Sequence, residues 1–343
     1  MGFKRLEADD FVVSAQAQTS TCWTDNSPAL TGFYTQSNQV NGQSGKYYTT
    51  VFNTNPTGSS AKAQFEIAYG NSTGGGALAF NESAAPGVSP ASTIYGQYRT
   101  LVLEDENSSF IFGGVTGSSI YAISVERAAY KESLFPGSMN LKLSSVSNTT
   151  GIFLTDDSNM VPIPTYYGTM RAYQVISGSD GVAYNSGSDT GTGYTENNGS
   201  YGLFLPDIGT ILLNADALDL TSNEGISLGT VTSSNTPGAN PLKLLTAFQS
   251  GSGFALNSEE TITSDFVFVR ARNSEFNYSE NPSYISGSTG EVIYNYFINN
   301  PQTYITTIGM YNDSNELLAV AKLSKPLNKD FTKEALVRVK LDF

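Results

Sequence analysis

The sequence predicts a mainly β fold, a β-rich α+β protein built from several short-stranded antiparallel sheets or sandwich-like domains with few short helices. Three observations carry this expectation. Apolar residues alternate with polar ones over short stretches, as in strands whose successive side chains point to opposite faces. Clusters of Gly, Asn, Asp, Ser and Pro separate those stretches and read as turns. Helical spacing of apolar residues is scarce, and Pro241–Gln249, with Leu242, Leu244, Leu245 and Phe248, is its best instance. A chain of 343 residues exceeds one average domain, so three regions are expected: 1–118, 119–250 and 251–343.

In the first region, strands are expected at Gly45–Asn53, Ala61–Tyr69, Tyr98–Leu103 and Phe110–Phe112. In Ala61–Tyr69 the residues Ala61, Ala63, Phe65, Ile67 and Tyr69 share one face, and Lys62, Gln64 and Glu66 take the other. Asn81–Pro90 reads as irregular. The second region opens with a strand–link–strand unit over Ser119–Ser144. Ile120–Val125 is a strand, Glu126–Leu134 a short helix or an extended link, and Pro136-Gly137 a turn. Met139, Leu141 and Leu143 then alternate with Asn140 and Lys142. Ser177–Ser200, rich in Gly, Ser, Thr, Asn and Asp, reads as an exposed loop. Tyr201–Leu205 and Gly209–Leu213 flank Pro206-Asp207-Ile208 and read as a hairpin; Ala215–Leu220 reads as one helical turn.

In the third region, Thr261–Arg272 is a strand with Phe266, Phe268 and Arg270 on one face. Glu291–Asn299 reads as helical. Tyr304–Met310 and Leu317–Leu323, joined by Asn312–Glu316, form a hairpin. Leu336–Phe343 alternates throughout, with Val337, Val339, Leu341 and Phe343 on one face and Arg338, Lys340 and Asp342 on the other.

Composition narrows the function. Hydrophobic residues make up 39% of the chain and aromatics 12%, which is enough for real cores. Charged residues are only 14%, against about 25% in ordinary soluble proteins. A surface carried by Ser, Thr, Asn and Gly suits a chain packed against neighbours. The net charge of −13 repels phosphate backbones and anionic membranes, so no nucleic-acid partner is expected. No apolar run approaches the ~18 residues of a membrane span. The start of the chain fits neither a signal peptide nor a myristoylation site.

Catalytic templates are missing as well. Histidine is absent, which removes the commonest general base and metal ligand. Cys22 has no partner for an internal disulfide and reads as a core residue beside Trp23. There is no nucleophile elbow, phosphate loop or zinc pattern. The carboxylate runs Glu104-Asp105-Glu106, Asp156-Asp157 and Glu259-Glu260 place neighbours on opposite faces, whereas a glycosidase needs two carboxyls facing across roughly 5–10 Å. Asp25, Asp180 and Asp189 lie in loops but lack the spacing of a calcium loop. Asn71-Ser72-Thr73 and Asn148-Thr149-Thr150 match glycan acceptors by chance spacing. No catalytic, cofactor-binding or metal site is expected. The 20 tyrosines fit strand edges, protein interfaces or sugar platforms.

Two segments look familiar. The first is Tyr304-Ile-Thr-Thr-Ile-Gly-Met-Tyr-Asn-Asp-Ser-Asn-Glu-Leu-Leu-Ala-Val-Ala-Lys-Leu-Ser-Lys-Pro326, followed by Ala335-Leu-Val-Arg-Val-Lys-Leu-Asp-Phe343. It resembles a terminal module of baseplate wedge and tail-fibre-attachment proteins of contractile-tailed phages. Arg272-Asn-Ser-Glu-Phe-Asn-Tyr-Ser-Glu-Asn-Pro282 resembles a segment of virion structural proteins of cyanophages, and Ser119–Ser144 fits the same group more loosely. The resemblance implies a non-enzymatic tail or baseplate subunit that is made in the host cytoplasm and resides in the virion. Its implied partners are other virion proteins and further copies of itself within a symmetric assembly, with no membrane insertion. The implied subunit contacts are Tyr304, Ile308, Tyr311, Leu317, Val337, Val339, Leu341 and Phe343. A receptor- or carbohydrate-binding tail protein, or a neck or capsid-decoration protein, is the alternative.

Overall fold

The computed structural model describes residues 3–36, 47–76, 89–184, 199–221, 224–232, 239–279 and 281–342. Its strands, in chain order, are β1 (Phe11–Thr21), β2 (Tyr48–Phe52), β3 (Ala63–Asn71), β4 (Phe110–Phe112), β5 (Val115–Gly117), β6 (Ser119–Val125), β7 (Ser133–Leu134), β8 (Asn140–Leu143), β9 (Ile152–Asp156), β10 (Thr165–Tyr167), β11 (Met170–Ser179), β12 (Val182–Ala183), β13 (Gly202–Leu205), β14 (Thr210–Asn214), β15 (Gly253–Ala255), β16 (Asn257–Ala271), β17 (Thr303–Tyr311), β18 (Leu317–Lys329) and β19 (Ala335–Asp342). The helices are α1 (Pro90–Leu103), α2 (Ala215–Asp219), α3 (Ala239–Gly251) and α4 (Asn295–Asn299). The fold is mostly β, with antiparallel sheets and few helices, as the alternation predicts.

The chain divides into two compact units, Gln18–Glu260 and Met1–Ala17 with Thr261–Phe343. This differs from the three regions expected. The boundary placed at 118/119 falls at the start of β6, which pairs along its length with β3. The boundary at 250/251 falls inside α3, and β15 just after it pairs with β8. The physical reason lies in β6 itself. All but Ser124 of its residues are buried, so it needs strands on both edges and covers on both faces.

The larger unit is organised on one sheet of 11 strands in the order β15-β8-β9-β11-β13-β14-β6-β3-β2, with β10 and β12 added to β11. Alternate residues of its central strands enter two separate apolar clusters. Tyr121, Ile123, Ile211 and Leu213 join one cluster with Trp23, Phe65, Phe248 and Phe254. Ile120, Ala122 and Leu212 join the other with Tyr95, Phe110 and Phe112. The hairpin expected around Pro206 is present, with Leu203 opposite Leu212 and a 3-10 turn over Pro206–Ile208. Gly209 ends that turn at φ +64°, where a Cβ would lie 2.5 Å from the Tyr130 ring.

Tyr98–Leu103, expected as a strand, is the end of α1. The reason is at the helix start. Ser89 Oγ accepts a hydrogen bond from Ser92 N at 3.3 Å, and Ser92 Oγ accepts one from Ser89 N at 3.1 Å. Pro90 takes the first helical position, where its missing N–H costs nothing. The segment 81–90, expected as irregular, therefore ends in a helix cap, and 81–88 lie outside the described residues. The helix lies close over β3, where a Cβ on Gly70 would sit 2.8 Å from Tyr95 N. This contact covers the face of β3 that bears Ala68 and Gly70, so β3 is enclosed on both sides.

Glu126–Leu134 resolves into a 3-10 turn at Arg127–Ala129 and the short strand β7. The loop expected at 177–200 begins instead as strand, because β11 runs to Ser179 and β12 pairs back on it; 185–198, which include Asp189, lie outside the described residues.

The smaller unit contains two sheets. β19 pairs with β16 from Ser264↔Asp342 to Ala271↔Ala335, and β1 stands on the other side of β16. β17 and β18 form a two-stranded sheet of their own. The predicted hairpin and closing strand are therefore both present, and the closing strand completes the β16 sheet.

Candidate interaction surface

The smaller unit has little core. Among the described residues its buried hydrophobics are Val267, Ala271, Phe297, Ala335 and Val339, and none belongs to either apolar cluster. Val267, Val269 and Ala271 on β16 face Val339, Val337 and Ala335 on β19. Cross-strand apolar pairs of this kind hold a sheet together. The opposite face carries Phe266, Phe268 and Arg270, and the Arg338 guanidinium lies 5.4 Å from the Phe266 ring centre.

The hairpin is more open still. No residue of β17 is buried, and in β18 only Lys329 is. Lys329 Nζ is satisfied by Asn273 O at 2.9 Å, Asn277 Oδ1 at 3.0 Å and Asp330 O at 3.1 Å. A buried ammonium needs such oxygens, and these tie the end of β18 to the segment 273–277. Nothing in the local sequence signals this anchor, because two of its three oxygens come from the distant segment 273–277.

The residues implied as subunit contacts divide into two groups. Tyr304, Tyr311 and Leu317 are exposed on the hairpin, at 60%, 42% and 53%, and Ile308 is half-buried between them in β17. Phe3 packs edge-on against Tyr311, with ring centres 5.4 Å apart. Val337, Val339 and Leu341 share the apolar face of β19. Val339 is buried and the other two are half-buried, so this group serves the sheet of the chain itself. Phe343 lies outside the described residues. Sequence reasoning missed Leu318 and Val320, which are 68% and 57% exposed. Their alternation in β18 looks like that of any half-covered strand.

Beside the hairpin start, the smaller unit forms an open cleft of about 1110 Å³. Among the described residues, Lys4, Arg5 and Arg272 line it with a single carboxylate, Glu275, and its aromatic lining includes Phe3, Tyr278, Tyr284 and Tyr304. Glu275 is held below the usual carboxylate range by the Arg272 backbone N–H and by Lys4, whose Nζ stands 3.1 Å away.

The carboxylate runs weighed for catalysis are bound up in structure. Asp105 accepts from Asn107 N at 2.8 Å and Asp157 from Gln174 N at 3.0 Å. Asp156 accepts from Gly137 N at 2.9 Å and pins the Pro136-Gly137 turn; burial pushes its carboxyl above the ordinary value. Glu259 faces Arg171 at 3.8 Å and Glu260 faces Lys131 at 3.5 Å, each with its own cation. Asp180 accepts from Asn140 Nδ2 at 2.7 Å. Asn71 is buried, with its amide donating to Ser119 Oγ at 2.7 Å, which leaves no free nitrogen for a glycan. Among the described residues no three acidic or thiol groups gather as a metal site, and no helix is long and apolar enough to cross a membrane.

No family model, curated protein or solved structure matches this chain.

Proposed function

We propose that the chain is a non-enzymatic structural subunit of a phage virion, a tail baseplate protein of the wedge or fibre-attachment kind that joins neighbouring subunits. The observation that carries this reading is the uncovered hairpin. A two-stranded sheet is marginal in water by itself. This one shows Leu317, Leu318 and Val320 to solvent within four positions of one strand, and none of its residues joins either apolar cluster. A neighbouring subunit seated on the hairpin supplies the missing cover. The low content of charged side chains, 14%, and the resemblance of Tyr304–Phe343 to tail modules point the same way.

The test is mass spectrometry of purified phage particles, with this chain expected at a fixed ratio to the known tail proteins. Particles that lack the chain, or contain it only in traces removed by washing, overturn the reading.

A further inference from the structure

We infer that the cleft of the smaller unit is a docking site for an extended acidic segment of another polypeptide that also carries aromatic or aliphatic side chains. The inference rests on the subunit-joining role proposed above and names the chemistry of one of its contacts.

Charge is the first argument. The chain has a net charge of −13, yet among the described residues the cleft gathers Lys4, Arg5 and Arg272 around one carboxylate. Lys4 is matched by Glu275. The Arg5 and Arg272 side chains are exposed; among the described residues neither has a carboxylate within 4 Å, although Arg272 lies near enough to Glu275 and Glu334 to help hold both low. A local cationic site on an acidic protein selects carboxylates and steers them inward. Arginine suits this task because its fork binds a carboxylate through two parallel N–H bonds.

The second argument is the aromatic wall. Phe3, Tyr278 and Tyr304 are exposed at the cleft. Behind them Tyr284 packs against Phe297 with ring centres 5.4 Å apart, which gives the wall a fixed base. Flat apolar surface beside cations fits a segment that alternates acidic and apolar side chains.

The third argument distinguishes a polypeptide from an acidic sugar. Gln302, Thr303 and Tyr304 line the cleft at the start of β17, and among the described residues β17 has β18 as its one pairing partner. Its other edge pairs with no strand among the described residues, the arrangement that accepts an added strand.

The experiment uses the full chain and fluorescence anisotropy. The probe is a labelled peptide that alternates glutamate with valine and phenylalanine; its glutamine counterpart and labelled oligogalacturonate serve as comparisons. The glutamate peptide is expected to bind, to weaken as salt is raised, and to lose at least about tenfold in affinity in the double variant Arg5→Ser/Arg272→Ser. Both side chains are exposed, so the variant is expected to keep the wild-type circular dichroism spectrum. Absence of peptide binding, equal binding of the glutamine peptide, or tighter binding of oligogalacturonate overturns the inference. Self-association of the free chain that disappears in the double variant replaces the foreign segment by a second copy, and overturns it too. Failure here with the chain still present in particles refutes the cleft alone. Peptide binding by a chain missing from particles refutes the virion role alone.

Discussion

The two units of this chain contain the same kind of strand and use it differently. In the larger unit, β6 sends Ile120 and Ala122 to one cluster and Tyr121 and Ile123 to the other, and both sides of the sheet are covered. In the smaller unit, β17 and β18 alternate as cleanly, yet the hairpin exposes Tyr304, Leu318 and Val320. Alternation thus fixes which residues share a face. It does not decide what covers that face. A sheet with covers on both sides is complete within its own chain, whereas one that leaves apolar residues in water has a face that a neighbour could cover.

The sharpest way to break the larger unit is to remove the ring on which its core converges. Phe65 lies within 5.1–6.3 Å, centre to centre, of Trp23, Phe33, Phe248 and Phe254. Phe65→Ala is expected to cost about 3–5 kcal/mol. Trp23 is the only tryptophan and sits in this core, so its fluorescence during urea unfolding measures the loss. A change under ~1 kcal/mol would show that the core is looser than its packing implies. Cys22 gives a second probe of the same unit. Burial pushes its thiol up to about 12, so a thiol reagent is expected to react only as the unit opens.

A smaller loss is expected from Gly70→Val, about 1–3 kcal/mol, because a branched side chain would press on the Tyr95 backbone where α1 crosses β3. The same close approach shows where sequence was informative. The alternation of Ala63, Phe65, Ile67 and Tyr69 marked the strand and its apolar face. Gly70 carried no such message, since its role depends on a helix some twenty positions away. That helix was misread because Tyr98–Leu103, taken alone, has residues that suit a strand, while the signal for a helix stood upstream in Ser89-Pro90. The hairpins around Pro206 and Asn312 were legible because turn chemistry and pairing are local. The cleft was not, since it draws Phe3, Lys4 and Arg5 together with residues from 272 to 304. Nor was the union of the first two expected regions, with the start of the third, in one sheet, which pairs β3 with β6 and β15 with β8.

Acid should separate the units further, with an effect smaller than either substitution. In the smaller unit, Asp330 is held low by Lys333, Glu334 by Arg270, Glu275 by the Arg272 backbone and Asp342 by Lys340. A carboxyl held low contributes stability that is present above its unfolded value, near 4, and is lost as pH falls through the folded value. In the larger unit, burial holds Asp156, Glu66 and Asp216 high. Their contribution is fully present below the unfolded value and is lost as pH rises through the folded one. Asp105, bonded to Ser108 at the end of α1, is the exception. Between about pH 6 and pH 3 the smaller unit is therefore expected to loosen first. Protection against hydrogen exchange, taken relative to the intrinsic rate at each pH, should fall in 261–342 while Trp23 fluorescence stays constant. Simultaneous loss of both signals would refute the difference.

The smallest effect on the free chain is expected where the effect on assembly is largest. Leu318→Ser and Val320→Ser replace exposed side chains on the hairpin, so each should change stability by no more than about 0.5 kcal/mol. Truncating an apolar anchor at the centre of a subunit contact costs about 2 kcal/mol or more of binding. The double variant should therefore unfold with the wild-type midpoint and still be depleted from particles when co-expressed with the wild-type chain. A destabilised double variant would mean that the hairpin is covered within its own chain. A stable variant that competes equally for particles would move the subunit contact away from β18, onto Tyr304, Tyr311 or the cleft beside them.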